Sequence, residues 1–222
     1  MARTIHELTP KHGVFIAAGF ALLTLCLDAY HARPVLERWF AASEYSSPTL
    51  AVESRFATFD NLDVAIETSN GLRTNLMATS GRVRIATMFY AHCPTMCPMV
   101  VETLQRIDAN LTPTERDKLR VMLVSLDPVR DTPEVLRGFS FDRSIYSSRW
   151  MIARTGNADV DRVARALGVS YESEMAGTLN HTPVLVLLDS RGHEVARTDR
   201  LDAPSSEFMS AVREAIAADA RT

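Results

Sequence analysis

Cysteine is scarce in this chain: three in 222 residues. That excludes a disulfide scaffold, which needs several bridges to replace a core. Basic runs are absent as well. Lys and Arg total 24 against 27 acidic residues, the net charge is −3, and the two signs are interspersed. The electrostatic footprint of a nucleic-acid binder is missing, so no nucleic-acid partner is expected. Internal repeats and low-complexity tracts are also lacking, which sets aside solenoids and linker-like chains. What is present is an ordinary globular balance, 46% hydrophobic and 23% charged, enough to bury one sizeable core with an extension to spare.

The extension is N-terminal. Arg3 and Lys11 precede an apolar run from Gly13 to Leu27, closed by Asp28. As a helix those residues would span about 22 Å, short of the roughly 30 Å hydrocarbon core. The length suits a cleaved signal segment or a short anchor. Cleavage wants small residues at two positions before the cut. Ala29 and Ala32 instead have Leu27 and Tyr30 two residues earlier, and Leu25 before Cys26 is too large for a lipoprotein site. Tyr30, Trp39 and Phe40 read as interfacial side chains. The expectation is a signal anchor over residues 1–30, a polar linker over 31–52, and a folded domain over 53–222. The basic end then stays inside, and the domain faces the periplasm or extracytoplasmic side of a bacterial inner membrane.

Within the domain, short apolar runs alternate with amphipathic segments. Asp63–Thr68 and Leu72–Leu76 read as a hairpin turning at Asn70-Gly71. Arg82–Ala91 is rich in β-branched and aromatic residues and reads as a strand. Pro98–Leu111 places Val100, Val101, Leu104 and Ile107 on one helical face. Val121–Leu126 is a continuous apolar run, as in a strand covered on both faces. Thr132 and Pro133 open a further helix. Arg149–Ala153 is a short strand, and Asn157–Gly168 a helix stopped by Gly168. Pro183–Leu188 and His193–Thr198 form a second hairpin, and the segment from Ser205 closes as an amphipathic helix. This order predicts an α/β fold: a thioredoxin-like central mixed sheet flanked by helices.

The chemistry-bearing stretch is "FYAHCPTMCPMV", Phe89 to Val100. Cys93 and Cys97 sit between a core strand and a helix. As a plain staple the pair would close a very small ring, worth about 2 kcal/mol in the chain-entropy model. Cα atoms four apart on a helix lie roughly 6 Å apart, near the upper end of disulfide tolerance. At the start of a helix both sulfurs point to one side, and the unpaired N–H groups there favour thiolate. Two thiolates side by side repel unless a cation lies between them. Soft sulfur ligands select copper(I), zinc or iron–sulfur clusters. Iron–sulfur clusters and structural zinc want four ligands, whereas copper is satisfied by three.

The third ligand must come from elsewhere in the chain. His31 falls in the linker, His193 in the "DSRGHE" turn, and His92 directly before Cys93. His181 lies in "TLNHTPVLVLLD", ahead of a buried strand. In a thioredoxin layout the segment before that strand lies against the cysteine turn. The alternative is a solvated loop histidine.

Taken together these segments resemble the Sco/SenC family, exported copper-binding proteins that take part in cytochrome c oxidase assembly. The resemblance runs from about residue 56 to 218. It rests on "FYAHCPTMCPMV", "VSLDPVRDTPEVL", "NHTPVLVLLDSRG" and "DVAIETSNG". It implies one copper ion bound by Cys93, Cys97 and His181 and delivered to the CuA centre of oxidase subunit II. A copper donor chaperone and a thiol reductant are the implied further partners. It also implies a thiol–disulfide role for Cys93 and Cys97 as a redox pair. Asn180 stands where the family often has an acidic residue, and Pro183 falls where thioredoxin-type reductases carry a cis-proline. Arg130 and Asp131 could equally be a surface ion pair of turn chemistry. Two other functions stay open at this point: a thiol-disulfide oxidoreductase acting on target cysteines, and a copper sensor or buffer.

Overall fold

The structure, a computed structural model, describes residues 59–173 and 178–220. The apolar N-terminal run, the linker and His31 lie outside the described residues. Among the described residues no helix is long and apolar enough to cross a membrane.

The first hairpin forms as expected, from β1 (Ala65–Thr68) and β2 (Arg73–Asn75). Gly71 turns it at φ 78°, a backbone conformation that costs glycine little because it has no Cβ. Then come β3 (Val83–Phe89), α1 (Met96–Ala109), α2 (Pro113–Lys118), β4 (Leu119–Ser125), α3 (Pro133–Asp142), β5 (Trp150–Thr155) and α4 (Val160–Leu167). β6 (Tyr171–Ser173) and β7 (Leu179–His181) pair with each other, and β8 (Leu185–Leu188), β9 (Glu194–Thr198) and α5 (Ser206–Asp219) end the chain.

Seven strands make one sheet in the order β2-β1-β5-β4-β3-β8-β9. β3, β4 and β5 are mutually parallel, and the flanking strands on both sides are antiparallel. Every residue of β3 is buried, because the sheet is covered on both faces. Ile85 and Phe89 join Leu123, Leu187, Leu104, Leu136 and Val212 on the side of α1, α3 and α5. Ala86 and Met88 join Met122, Val124, Val163 and Leu167 on the side of α4. Each large apolar side chain buried this way contributes roughly 1.5–3 kcal/mol relative to exposure.

Three local features differ from the sequence-based expectation. α1 starts at Met96 rather than Pro98, so Cys97 lies in its first turn and Cys93 in the turn ahead of it. α2 was not expected. Its cap is a reciprocal pair: Thr112 accepts from the Glu115 N–H, while the Glu115 carboxylate accepts from the Thr112 N–H, satisfying two helix-end donors at once. The small β6–β7 ribbon was also unexpected, and it makes His181 a strand residue rather than a loop residue. Every peptide bond among the described residues is trans, the one before Pro183 included.

Candidate metal centre

Parallel strands that end side by side leave their following loops at one edge of the sheet. The loops after β3 and β4 meet there. The Leu126 N–H donates to the Phe89 carbonyl at 2.7 Å. Beyond this point the β3 chain turns, with the Cys93 N–H donating to the Tyr90 carbonyl at 3.2 Å, and then enters α1. The first turn of a helix has N–H groups without intrahelical partners. No side-chain oxygen caps α1 at Thr95. Instead the Cys97 N–H donates to the Cys93 sulfur at 3.3 Å. Cys93 therefore does the work of a capping residue with sulfur in place of oxygen.

The third group arrives from the far side of the chain. The Thr87 hydroxyl, fully buried on β3, donates to the Val184 carbonyl at 2.7 Å, holding the segment after β7 against the sheet. This places His181 Nε2 at 4.0 Å from the Cys97 sulfur. Its other nitrogen, Nδ1, faces the Thr182 carbonyl at 3.4 Å. A carbonyl accepts only from a protonated nitrogen, so the ring proton belongs on Nδ1 and the Nε2 lone pair faces the sulfurs. The Cys93 and Cys97 sulfurs and a His181 ring nitrogen all lie within 4.8 Å of one another. The three residues form a possible metal site.

The electrostatics of the two thiols diverge. Burial works against ionisation of Cys93, but N–H groups of Cys97, Thr95 and Met96 and the Cys97 thiol point at its sulfur, and the net effect lowers its pKa. Burial pushes the Cys97 thiol well up, reinforced by the neighbouring Cys93 and by the charge of Asp131. Cys93 is therefore the first of the two to become thiolate. Burial lowers the pKa of His181, keeping its imidazole neutral, the form that ligates metals. The Tyr90 ring meets the His181 ring edge-on, with centroids 6.0 Å apart.

Of the other histidines, His193 makes its contacts with Asp189. It sits in the β8–β9 turn with Nδ1 at 3.2 Å from Asp189. His92 lies at the surface beside Cys93, its side chain 57% exposed. Asp131 is the residue that sequence reasoning undervalued. It does not pair with Arg130 at the surface; Arg130 pairs with Asp127. Asp131 is fully buried. It accepts from the Ala91 N–H at 3.1 Å and from the Ser125 hydroxyl at 2.5 Å, and so ties the cysteine turn to the end of β4. Burial pushes its carboxyl pKa up. The one local signal was its place just before Thr132, the cap of α3, and that signal alone could not distinguish a buried tie from a surface turn.

The family model described as SCO1/SenC matches residues 65–217. The chain belongs to the SCO1/SenC family. Among its relatives, a Stutzerimonas stutzeri protein named as copper-binding is 29% identical over 117 residues, covering 50% of this chain and 55% of that protein. The human mitochondrial SCO1 homolog is 29% identical over 110 residues, covering 46% of this chain and 35% of the relative. The chain thus spans about half, or less, of the length of these relatives. Among solved structures, Arabidopsis thaliana ScoI with copper bound matches at TM-score 0.56 and 16% identity, covering 71% of this chain and 96% of that one. BsSco, described through a disulfide switch and as a member of the Sco family of cytochrome c oxidase assembly proteins, matches at TM-score 0.62 and 17% identity, covering 72% and 95%. At these identities the structures establish the fold, the thioredoxin-like mixed sheet expected from the sequence.

Proposed function

We propose that the chain binds one copper ion through Cys93, Cys97 and His181 and delivers it to the CuA centre of cytochrome c oxidase subunit II. In this reading an N-terminal helix anchors it to a bacterial inner membrane with the domain outside the cytoplasm. The observation that carries the proposal is the convergence of two sulfurs and an imidazole nitrogen within 4.8 Å. Sulfur with imidazole suits copper, and a three-ligand set leaves room for an incoming ligand to join before an old one leaves. Copper donor and thiol reductant follow as partners. The ion has to arrive from somewhere, and thiols in an oxidising compartment must be kept reduced to receive it.

A second reading has its own observation. A lowered Cys93 beside a raised, buried Cys97 is the division of labour of a thiol–disulfide pair, one attacking thiolate and one resolving thiol. His181→Ala separates the two. The copper reading expects loss of stoichiometric copper binding and of sulfur-to-copper charge-transfer absorption, with reduction of a disulfide substrate by Cys93 and Cys97 largely retained. Unchanged copper affinity in that variant would leave the histidine structural and favour the oxidoreductase. A copper sensor or buffer would bind the ion in the same way but leave the metallation of subunit II unchanged when mixed with it.

A further inference from the structure

The three candidate ligands are closed off from solvent. Cys93 is 6% exposed, Cys97 0% and His181 9%, although a delivery site is expected to present its sulfurs to a partner. So little of either sulfur is open that an incoming ligand has only a narrow approach. Either the loop opens, or a residue of this chain reaches the surface and carries the ion across the rim.

Among the described residues, the exposed groups near the rim that can bind copper are few. Met99 is 39% exposed, but it comes two residues after Cys97 on α1, about 200° round the helix axis, and so faces away from the buried sulfur. Met96 packs against the core. His92 stands apart from both. It neighbours Cys93 in the turn ahead of α1, its side chain is 57% exposed, and its Nδ1 lies 3.8 Å from Oδ1 of the buried Asp131. With Nδ1 toward that carboxylate, Nε2 is the nitrogen on the opposite, outward edge of the ring. At 3.8 Å the contact is electrostatic and not a hydrogen bond, and it sets Nδ1 of the ring toward Asp131. Asp131 is itself fixed by the Ala91 N–H and the Ser125 hydroxyl, one residue from His92 in the same turn.

We propose that His92 is the relay ligand of the copper site: it takes the ion at the surface and exchanges it with Cys93, in both loading and release. The proposal rests on the copper reading given above. In loading, a bond from His92 Nε2 to copper forms first, and the bond to the donor's ligand breaks. The Cys93 and Cys97 sulfurs and a His181 ring nitrogen then bind, each thiol losing its proton to solvent, and the bond from His92 to copper breaks. Release runs the same steps backward, and the copper keeps its oxidation state throughout, so no electron acceptor is needed. His92 is a ligand of the passage and not of the resting site.

The test uses the full-length chain loaded with one equivalent of copper(I) and an excess of bicinchoninate, a coloured copper(I) chelator, as acceptor. His92→Ala should slow both uptake and release by about tenfold, one decade of rate, while equilibrium copper affinity and the thermal midpoint of the metal-free chain stay at the wild-type values. His92→Met, which restores a soft ligand, should recover the rates, and His92→Phe should not. Rates in His92→Ala equal to wild type would overturn the proposal. So would a loss of equilibrium affinity matching the loss of rate, because that would make His92 a resident ligand. Failure of the copper reading looks different: the wild-type chain itself would bind no stoichiometric copper.

Discussion

The two ends of β3 are built on opposite plans. At its start Arg84 is buried, with its side chain only 1% exposed. Its guanidinium donates to the Thr79 carbonyl at 2.6 Å and to the Asp60 carboxylate. Gly192 closes this end, at φ 79°. Its carbonyl accepts from the Phe59 N–H at 3.1 Å, and a Cβ there would fall 2.5 Å from Asp60 Cγ. Beyond the other end lie Cys93, Cys97, His181 and Asp131, buried polar groups with no arginine or lysine among them. Asp131 is held by an N–H and a hydroxyl instead of a cation. One end pins the Phe59–Asn61 turn with a buried ion pair, in which Asp60 Oδ2 and Arg84 Nε stay without hydrogen-bond partners. The other gathers two thiols and an imidazole around a carboxylate that neutral donors hold.

If that difference is real, substitutions at the two ends should fail in different assays. Arg84→Ala should have the largest effect, about 3–5 kcal/mol of stability, because it leaves the Asp60 carboxylate without its partner. Denaturant unfolding measures this, and copper affinity in the surviving folded protein should be unchanged. Cys97→Ser should do the reverse, lowering copper affinity by more than about a hundredfold, beyond the usual effect of removing an outer-shell group, with a small change in unfolding midpoint.

The thiols add a pH test. Because burial raises the pKa of Cys97, it holds its proton near neutrality, and copper must displace that proton to bind. Affinity should therefore rise with pH, about tenfold per unit for each proton released. Competition titrations with a chelator at several pH values measure the slope, and a flat profile would count against a protonated Cys97.

Asp131→Asn sharpens the comparison by touching both quantities. The amide offers one acceptor oxygen where the carboxylate met two donors, and its NH2 then faces an N–H or a hydroxyl. A stability loss of about 1–3 kcal/mol and a roughly tenfold fall in copper affinity are expected, read by unfolding and by metal competition. At the small end, Arg73→Ala should cost under about 1 kcal/mol. Its pair with Glu67 is at the surface, with the arginine side chain 83% exposed, where ion pairs contribute little. An effect as large as that of Arg84→Ala would break the distinction between pinned and exposed charge.

Much of this arrangement was legible beforehand, for identifiable reasons. The unbroken apolar runs of β3 and β4 announce strands covered on two faces, and Gly168 stops α4 with a left-handed residue at φ 64°. That Cys93, Cys97 and His181 lie together was legible in part, because the cysteines sit at a strand-to-helix junction and His181 precedes a core strand. Other features were illegible because their cause is non-local. β7 and its partner β6 have three residues each, too few for any periodicity to mark them. The burial of Asp131 depends on Ala91, forty positions away in sequence. The capping box Thr112–Glu115 could have been read from sequence, since both residue types and their spacing are explicit.

The sulfur cap on α1 makes a single backbone proton into a reporter. The Cys97 N–H points at the Cys93 sulfur, so its environment differs when that atom is a thiol, a thiolate, a metal ligand or half of a disulfide. An amide resonance is sensitive to the charge and polarisability of its acceptor. A nitrogen-15 label at Cys97 would register the state of the site with no metal spectroscopy and no reagent added to the thiols. It would also do so when the occupying ion is colourless and diamagnetic, as copper(I) is.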